Sequence, residues 1–121
     1  MEFINAKDIK VFQNNGVSSE QLLFPENSVS ERVTITRVTV PPNAEQARHL
    51  HETSEQIWVA LVGKGTLLLA DNQTKEFNVG DVVRFADNDI HGLKNEKNVD
   101  FMYMSITSPP INFRNAYKEE K

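Results

Sequence analysis

The chain has 121 residues, 39% hydrophobic and 25% charged, with five Gly and five Pro; this suits one globular domain of roughly 100–200 residues and excludes a disordered, collagenous or membrane chain. Cysteine is absent, which removes disulfides, thiolate zinc sites, iron–sulfur clusters and a Cys nucleophile, and leaves three histidines as the main ligands for a transition metal. A net charge of −4 without any basic run argues against binding nucleic acid through phosphates, and with no apolar run near ~18 residues and no signal-peptide pattern the expectation is a cytoplasmic protein with no membrane partner.

Residues 1–29 carry two short apolar patches, Ile9-Lys10-Val11-Phe12 and Gln21-Leu22-Leu23-Phe24-Pro25, separated by Asn14-Asn15-Gly16 and expected as edge strands. From Arg32 onward the segments between turn signals are β-branched, alternating and too short for helices. Seven of the nine residues of Arg32–Val40 are Val, Ile or Thr, and Pro41-Pro42, unable to donate to a ladder, stop that strand. Gln56–Val62, the turn Gly63-Lys64-Gly65 and Thr66–Ala70 read as a hairpin. Asp71-Asn72, Asn78–Asp81 and Ala86–Asp89 turn the chain around the short strands Lys75–Phe77 and Val82–Phe85. A last strand, Asp100–Thr107, ends at Pro109-Pro110, and the charged tail, residues 109–121, is expected to fray, with Phe113 and Tyr117 at helical spacing. The pattern is all-β: two packed antiparallel sheets forming one barrel or jelly roll, residues 1–121, with its legible part over about 30–108.

His49 and His51 stand two apart, Glu55 follows four later, and His91 opens the segment after the last turn. Alternate residues of an extended strand share a face, so the two close histidines can meet one metal if this segment is extended. On composition alone a His pair at this spacing with a Glu four residues on arises by chance in about half a per cent of arrangements. Imidazoles with a carboxylate suit Fe(II), Mn(II), Ni(II), Zn(II) or Cu(II). The competing reading is three surface histidines on an edge strand.

These residues resemble the cupin family, whose two motifs are G-x5-H-x-H-x3–4-E-x6-G and G-x5-P-x-G-x2-H-x3-N. His49, His51 and Glu55 match the first, with Asn43 in place of its first Gly and Gly63 one residue late; Gly80, His91 and Asn95 match the second, with Ala86 and Asn88 in place of Pro and Gly. Asn at the former glycine positions is mild because Asn visits the left-handed conformation readily. The resemblance implies a double-stranded β-helix jelly roll with His49, His51, Glu55 and His91 as ligands to one divalent transition metal at the barrel mouth. It places Asn95 in the turn after His91, and together with the apolar edges it implies a homodimer.

Alternation from Glu55 puts Ile57, Val59 and Leu61 on the metal's face and turns Trp58 away, toward packing or ligand stacking. Arg37 is read two ways, inward to hold a substrate anion or outward to solvent. Gln56, Ile57, Val59 and Tyr103 join Arg37 as candidate substrate contacts. The expected function is a metal-dependent enzyme of oxygenase, isomerase or lyase type acting on a small polar molecule; the alternative is a metal-containing binding or sensor module without turnover.

Overall fold

The computed structural model describes residues 1–116 and the backbone of Lys118 and Glu119; Tyr117 lies outside the described residues. Strands β1 (Lys10–Asn14), β2 (Val17–Leu23), β3 (Thr34–Val40), β10 (Phe101–Ser108), β5 (Glu55–Val62) and β8 (Val82–Phe85), with β11 (Lys118–Glu119) beside β1, make one antiparallel sheet in the order β11-β1-β2-β3-β10-β5-β8. The second sheet, β4-β9-β6-β7, is built from β4 (Glu45–His49), β9 (His91–Lys94), β6 (Lys64–Leu69) and β7 (Thr74–Asn78). This is the two-sheet all-β barrel expected from the sequence.

Two expectations change. Residues Gln56–Val62 and Thr66–Ala70 do not pair: β5 and β6 lie in different sheets, and the hairpin partner of β6 is β7. The chain changes sheet at Gly63, whose φ of 84° and whose approach to the Asp100 carbonyl leave no room for a Cβ. The N-terminal strands are also more than edges, since β2 is an interior strand paired with both β1 and β3.

The inner face of the larger sheet is layered along the barrel axis. Register aligns Val40 with Phe101, then Val38 with Tyr103 and Ala60, then Thr36 with Ser105 and Trp58, then Thr34 with Thr107 and Gln56. All of these side chains are buried. Alternation therefore builds an interior that runs from apolar at one end to polar at the other. The apolar end joins Leu67, Phe77 and Leu93 of the smaller sheet in the core, where each large buried side chain contributes roughly 1.5–3 kcal/mol. The polar end holds the site.

Candidate metal centre

His49 ends β4 and His91 begins β9, and the two are direct cross-strand partners. His51 follows in the loop, whose backbone is held by the Asn88 amide donating to the His51 carbonyl at 2.8 Å. Asn43 and Asn88 have φ of 67° and 70°, so both former glycine positions of the motifs take the left-handed conformation. Gly92 sets the approach of the two strands: a Cβ there would stand 2.6 Å from the Gln46 carbonyl oxygen. With β4 this close, one ring nitrogen from each of His49, His51 and His91 lies within 4.8 Å of the others.

The hydrogen bonds aim these rings. Nδ1–H of His49 donates to the Ala47 carbonyl and Nδ1–H of His91 to the Asp89 carbonyl, each at 2.8 Å; a carbonyl only accepts, so the proton sits on Nδ1 and Nε2 presents a lone pair. His51 Nε2 is buried without a hydrogen-bond partner among the described residues. Burial lowers His51 to a pKa of about 4, helped by His49 nearby, and lowers His91 to about 4 as well, against the raising effect of the Asp89 carbonyl. At neutral pH these two rings are uncharged, the form that binds metal. His91 also stacks on Phe85, ring centroids 4.4 Å apart at 11°.

Beside the triad stands a residue expected only as a substrate contact. Gln56 turns inward beside His91, with Oε1 3.1 Å from His91 Nε2. Its Nε2 donates to Thr107 Oγ1 at 2.9 Å, while its Oε1 accepts from the Trp58 indole N–H at 3.2 Å. Two lone pairs thus face each other across 3.1 Å, and His51 offers a third without a partner. A cation bound by all of them resolves both costs, so the residues present fit a divalent metal.

Glu55 is placed differently. Its carboxylate accepts from Arg84 Nε at 2.6 Å on the outer side of β5, and it is not brought to the three histidines. The pleat decides this: Gln56, Trp58 and Ala60 form the buried set of β5, and Glu55, Ile57, Val59 and Leu61 form the other. The signal was in the motif, which allows four residues before its acidic position; counted so, position 56 takes that place and Gly63 falls in register. Trp58 accordingly points inward, correcting the reverse expectation, while Ile57 and Val59 leave the cavity. Arg37 faces outward and pairs with Glu20. Tyr103 does line the cavity, donating its hydroxyl to Gln46 Oε1 at 2.6 Å.

A cavity of about 740 Å³ opens beside the histidines, walled by Ser19, Thr36, Ser105, Gln56, Trp58 and Tyr103 among others. Its rim includes Phe113, whose ring packs edge-on against His51 at 5.9 Å. The tail was expected to fray, yet through Ala116 it is a strap: Pro109 accepts from Ser54, Ile111 exchanges two bonds with Thr34 Oγ1, and Arg114 grips Glu26 through Nε and a terminal nitrogen. The sequence shows the aromatic and the arginine but not Glu26, 88 residues away.

The family model of the cupin domain matches residues 36–107. The chain is a cupin. An uncharacterized protein of Methanocaldococcus jannaschii is 28% identical to this cupin over 96 residues, 79% of this chain and 76% of that one. Two solved structures share the fold: KdgF from Halomonas sp., TM-score 0.76 at 18% identity over 92% of this chain and 96% of that one, and a predicted oxalate decarboxylase from Thermotoga maritima, TM-score 0.76 at 19% identity over 88% and 98%. Cupins commonly bind a metal, and this one has the histidine triad for it.

Proposed function

We propose that this cupin is a metal-dependent enzyme acting on a small polar molecule held in the barrel, with His49, His51, His91 and the Gln56 side-chain oxygen as donors to one divalent transition metal. The observation that carries the reading is the buried, unpartnered His51 Nε2 among converging ring nitrogens. When bound, such a metal supplies Lewis acidity to a substrate oxygen. The protein's own contribution is orientation: backbone carbonyls fix two imidazoles, the Trp58 and Thr107 side chains fix the Gln56 amide, and Phe113 screens His51 from water. Oxygenase, isomerase and lyase chemistry are all compatible with these donors, which suit Fe, Mn, Ni, Zn or Cu.

Elemental analysis of untagged protein tests this: about one equivalent of transition metal is expected, lost in His51→Ala, and metal-free protein after loading rejects the reading. A binding or sensor role without turnover is favoured by one feature, that among the described residues the cavity-lining ionisable groups other than the histidines are only Glu45, Arg48 and Tyr103. Turnover of any compound in a broad screen, abolished by His51→Ala, rules that role out.

The pairing of two copies is supported by the outer face of the larger sheet. Ile35, Ile106 and Ile57 lie in register across three strands, and Met104, Val59 and Val82 across the next row. Such a contiguous apolar face is normally covered, and a second copy presenting the same face does so isologously.

A further inference from the structure

We propose that the cavity recognises a short polyhydroxylated compound with a single negatively charged or carbonyl oxygen group, and that the hydroxyls of Thr36 and Ser105 form the subsite for its hydroxyl-bearing chain. This rests on the metal reading above and adds the class of ligand.

The polar layers of the inner sheet face have partners with one exception. Thr34 Oγ1 is engaged by Ile111, Thr107 Oγ1 accepts from Gln56, and Ser19 Oγ accepts from Gln21. Thr36 and Ser105 are 3% and 4% exposed, both line the cavity, and neither hydroxyl has a hydrogen-bond partner among the described residues. Register makes them direct neighbours, with Trp58 next to Ser105 and Gln21 next to Thr36. Gln21, fully buried, leaves its own Oε1 without a partner in the same row. The Thr36 and Ser105 oxygens are not among the sealed unpartnered atoms, so they open into the cavity they line, whereas Gln21 lies behind its wall; hydroxyls presented this way are ones that a ligand, or the water it displaces, completes.

The position and charge of the wall narrow the class. Strands lie about 4.8 Å apart, so the two hydroxyls stand one and two strand spacings from Trp58, about 5 and 10 Å, a reach suited to a chain of four to six carbons. The metal donors are three imidazoles and an amide, which leave the charge of a divalent ion uncompensated and favour one anionic or carbonyl oxygen there. A second anionic group finds no cation among the described residues: their part of the wall contains no lysine, and its arginine, Arg48, is spent on the carbonyls of Leu69 and Gln73 at 2.7 and 3.3 Å. Phosphorylated compounds are therefore disfavoured, and so are unsubstituted alkyl acids, which leave the hydroxyl row unpaired.

Calorimetric titration of metal-loaded protein with D-gluconate, its 6-phosphate and hexanoate tests the assignment, with metal content measured separately on every sample. Gluconate is expected to bind at least tenfold tighter than either competitor. Ser105→Ala and Thr36→Val each weaken gluconate about fivefold while leaving hexanoate binding, metal content and melting temperature unchanged. Equal affinity for gluconate and hexanoate, no binding of gluconate by protein carrying its metal, or wild-type affinity in the double variant overturns the hydroxyl subsite. Protein that takes up no metal overturns the metal reading instead, and the effect of the double variant on gluconate selectivity still decides the subsite.

Discussion

The indole N–H of Trp58 donates to the side-chain oxygen of Gln56, and this bond determines which end of the amide faces His91. Rotating the amide by half a turn would set two N–H groups against each other at Trp58 and withdraw the Nε2 donor from Thr107 Oγ1. Two buried neighbours thus define the polarity of a third residue beside the histidines.

Trp58→Phe keeps an aromatic ring against Tyr103 and Phe85 but removes the donor that fixes the amide. Metal affinity is expected to fall about tenfold, the scale typical of lost support behind a ligand, measured by competition with a chromogenic chelator. An unchanged affinity in a folded variant rejects the orienting role.

Gln56→Ala and Glu55→Ala separate the two neighbouring candidates. The first is expected to weaken metal binding by tenfold or more. The second breaks only the solvent-exposed pair with Arg84, with metal affinity within twofold of wild type and a stability cost below about 1 kcal/mol. The reverse pattern would restore Glu55 as the ligand.

Acid weakens the chelator-treated, metal-free protein for a definable reason. His51 and His91 hold off protonation until about pH 4, whereas an unfolded chain protonates them near 6.5. Between these values the unfolded state binds more protons, so stability falls as pH drops through that window and is insensitive to these two groups above it. The loss is on the order of a few kcal/mol, with the smaller share from His51, which is only half-buried, and the larger from His91, which is 1% exposed. Thermal melts from pH 7.5 to 4 in chelator check it; a flat profile, or one eliminated in neither His51→Ala nor His91→Ala, contradicts it.

Met104→Glu places a charge at the end of the outer apolar row, between Val59 and the outward Arg37 that already pairs with Glu20. Sedimentation equilibrium is expected to give a dimer for the wild type and a monomer for the variant at micromolar concentration. A wild-type monomer disposes of the pairing.

Gly92→Ala tests how closely the sheet geometry and the ligands are linked. The added methyl meets the Gln46 carbonyl at 2.6 Å, so β4 must retreat and carry His49 with it. A cost of about 1–3 kcal/mol is expected together with weakened metal binding, read by melting and by chelator competition on the same sample. Normal metal binding in a destabilised variant would show that His49 reaches its place independently of β4.

Six strands between residues 32 and 108 were legible because alternation and turn residues are local signals, whereas β4 and β9, which hold His49 and His91, lack that alternation and were not read as strands. Partner choice was not: a Gly-x-Gly between two apolar runs reads as a hairpin, yet Gly63 sends β6 to the other sheet because the Asp100 backbone lies across its path. The histidines were legible as a pair and a third, while the residue of β5 that faces them was placed one position early, at Glu55 and not Gln56, and in a strand one residue is the opposite face. The strap escaped notice because its anchors, Ser54, Thr34 and Glu26, are distant in sequence.

The graded interior separates two kinds of sequence freedom. Phe101, Val40 and Ala60 answer to the demand for a folded core, whereas Thr36 and Ser105 sit a layer or two away on the same strands and pack against little that depends on their hydroxyls. Exchanging Thr for Val or Ser for Ala at those positions leaves no protein hydrogen-bond partner unsatisfied and keeps the backbone in its strand. A lineage of such barrels can therefore drift from one ligand to another by single, nearly stability-neutral steps, with the metal donors held constant as the lining beside them is rewritten.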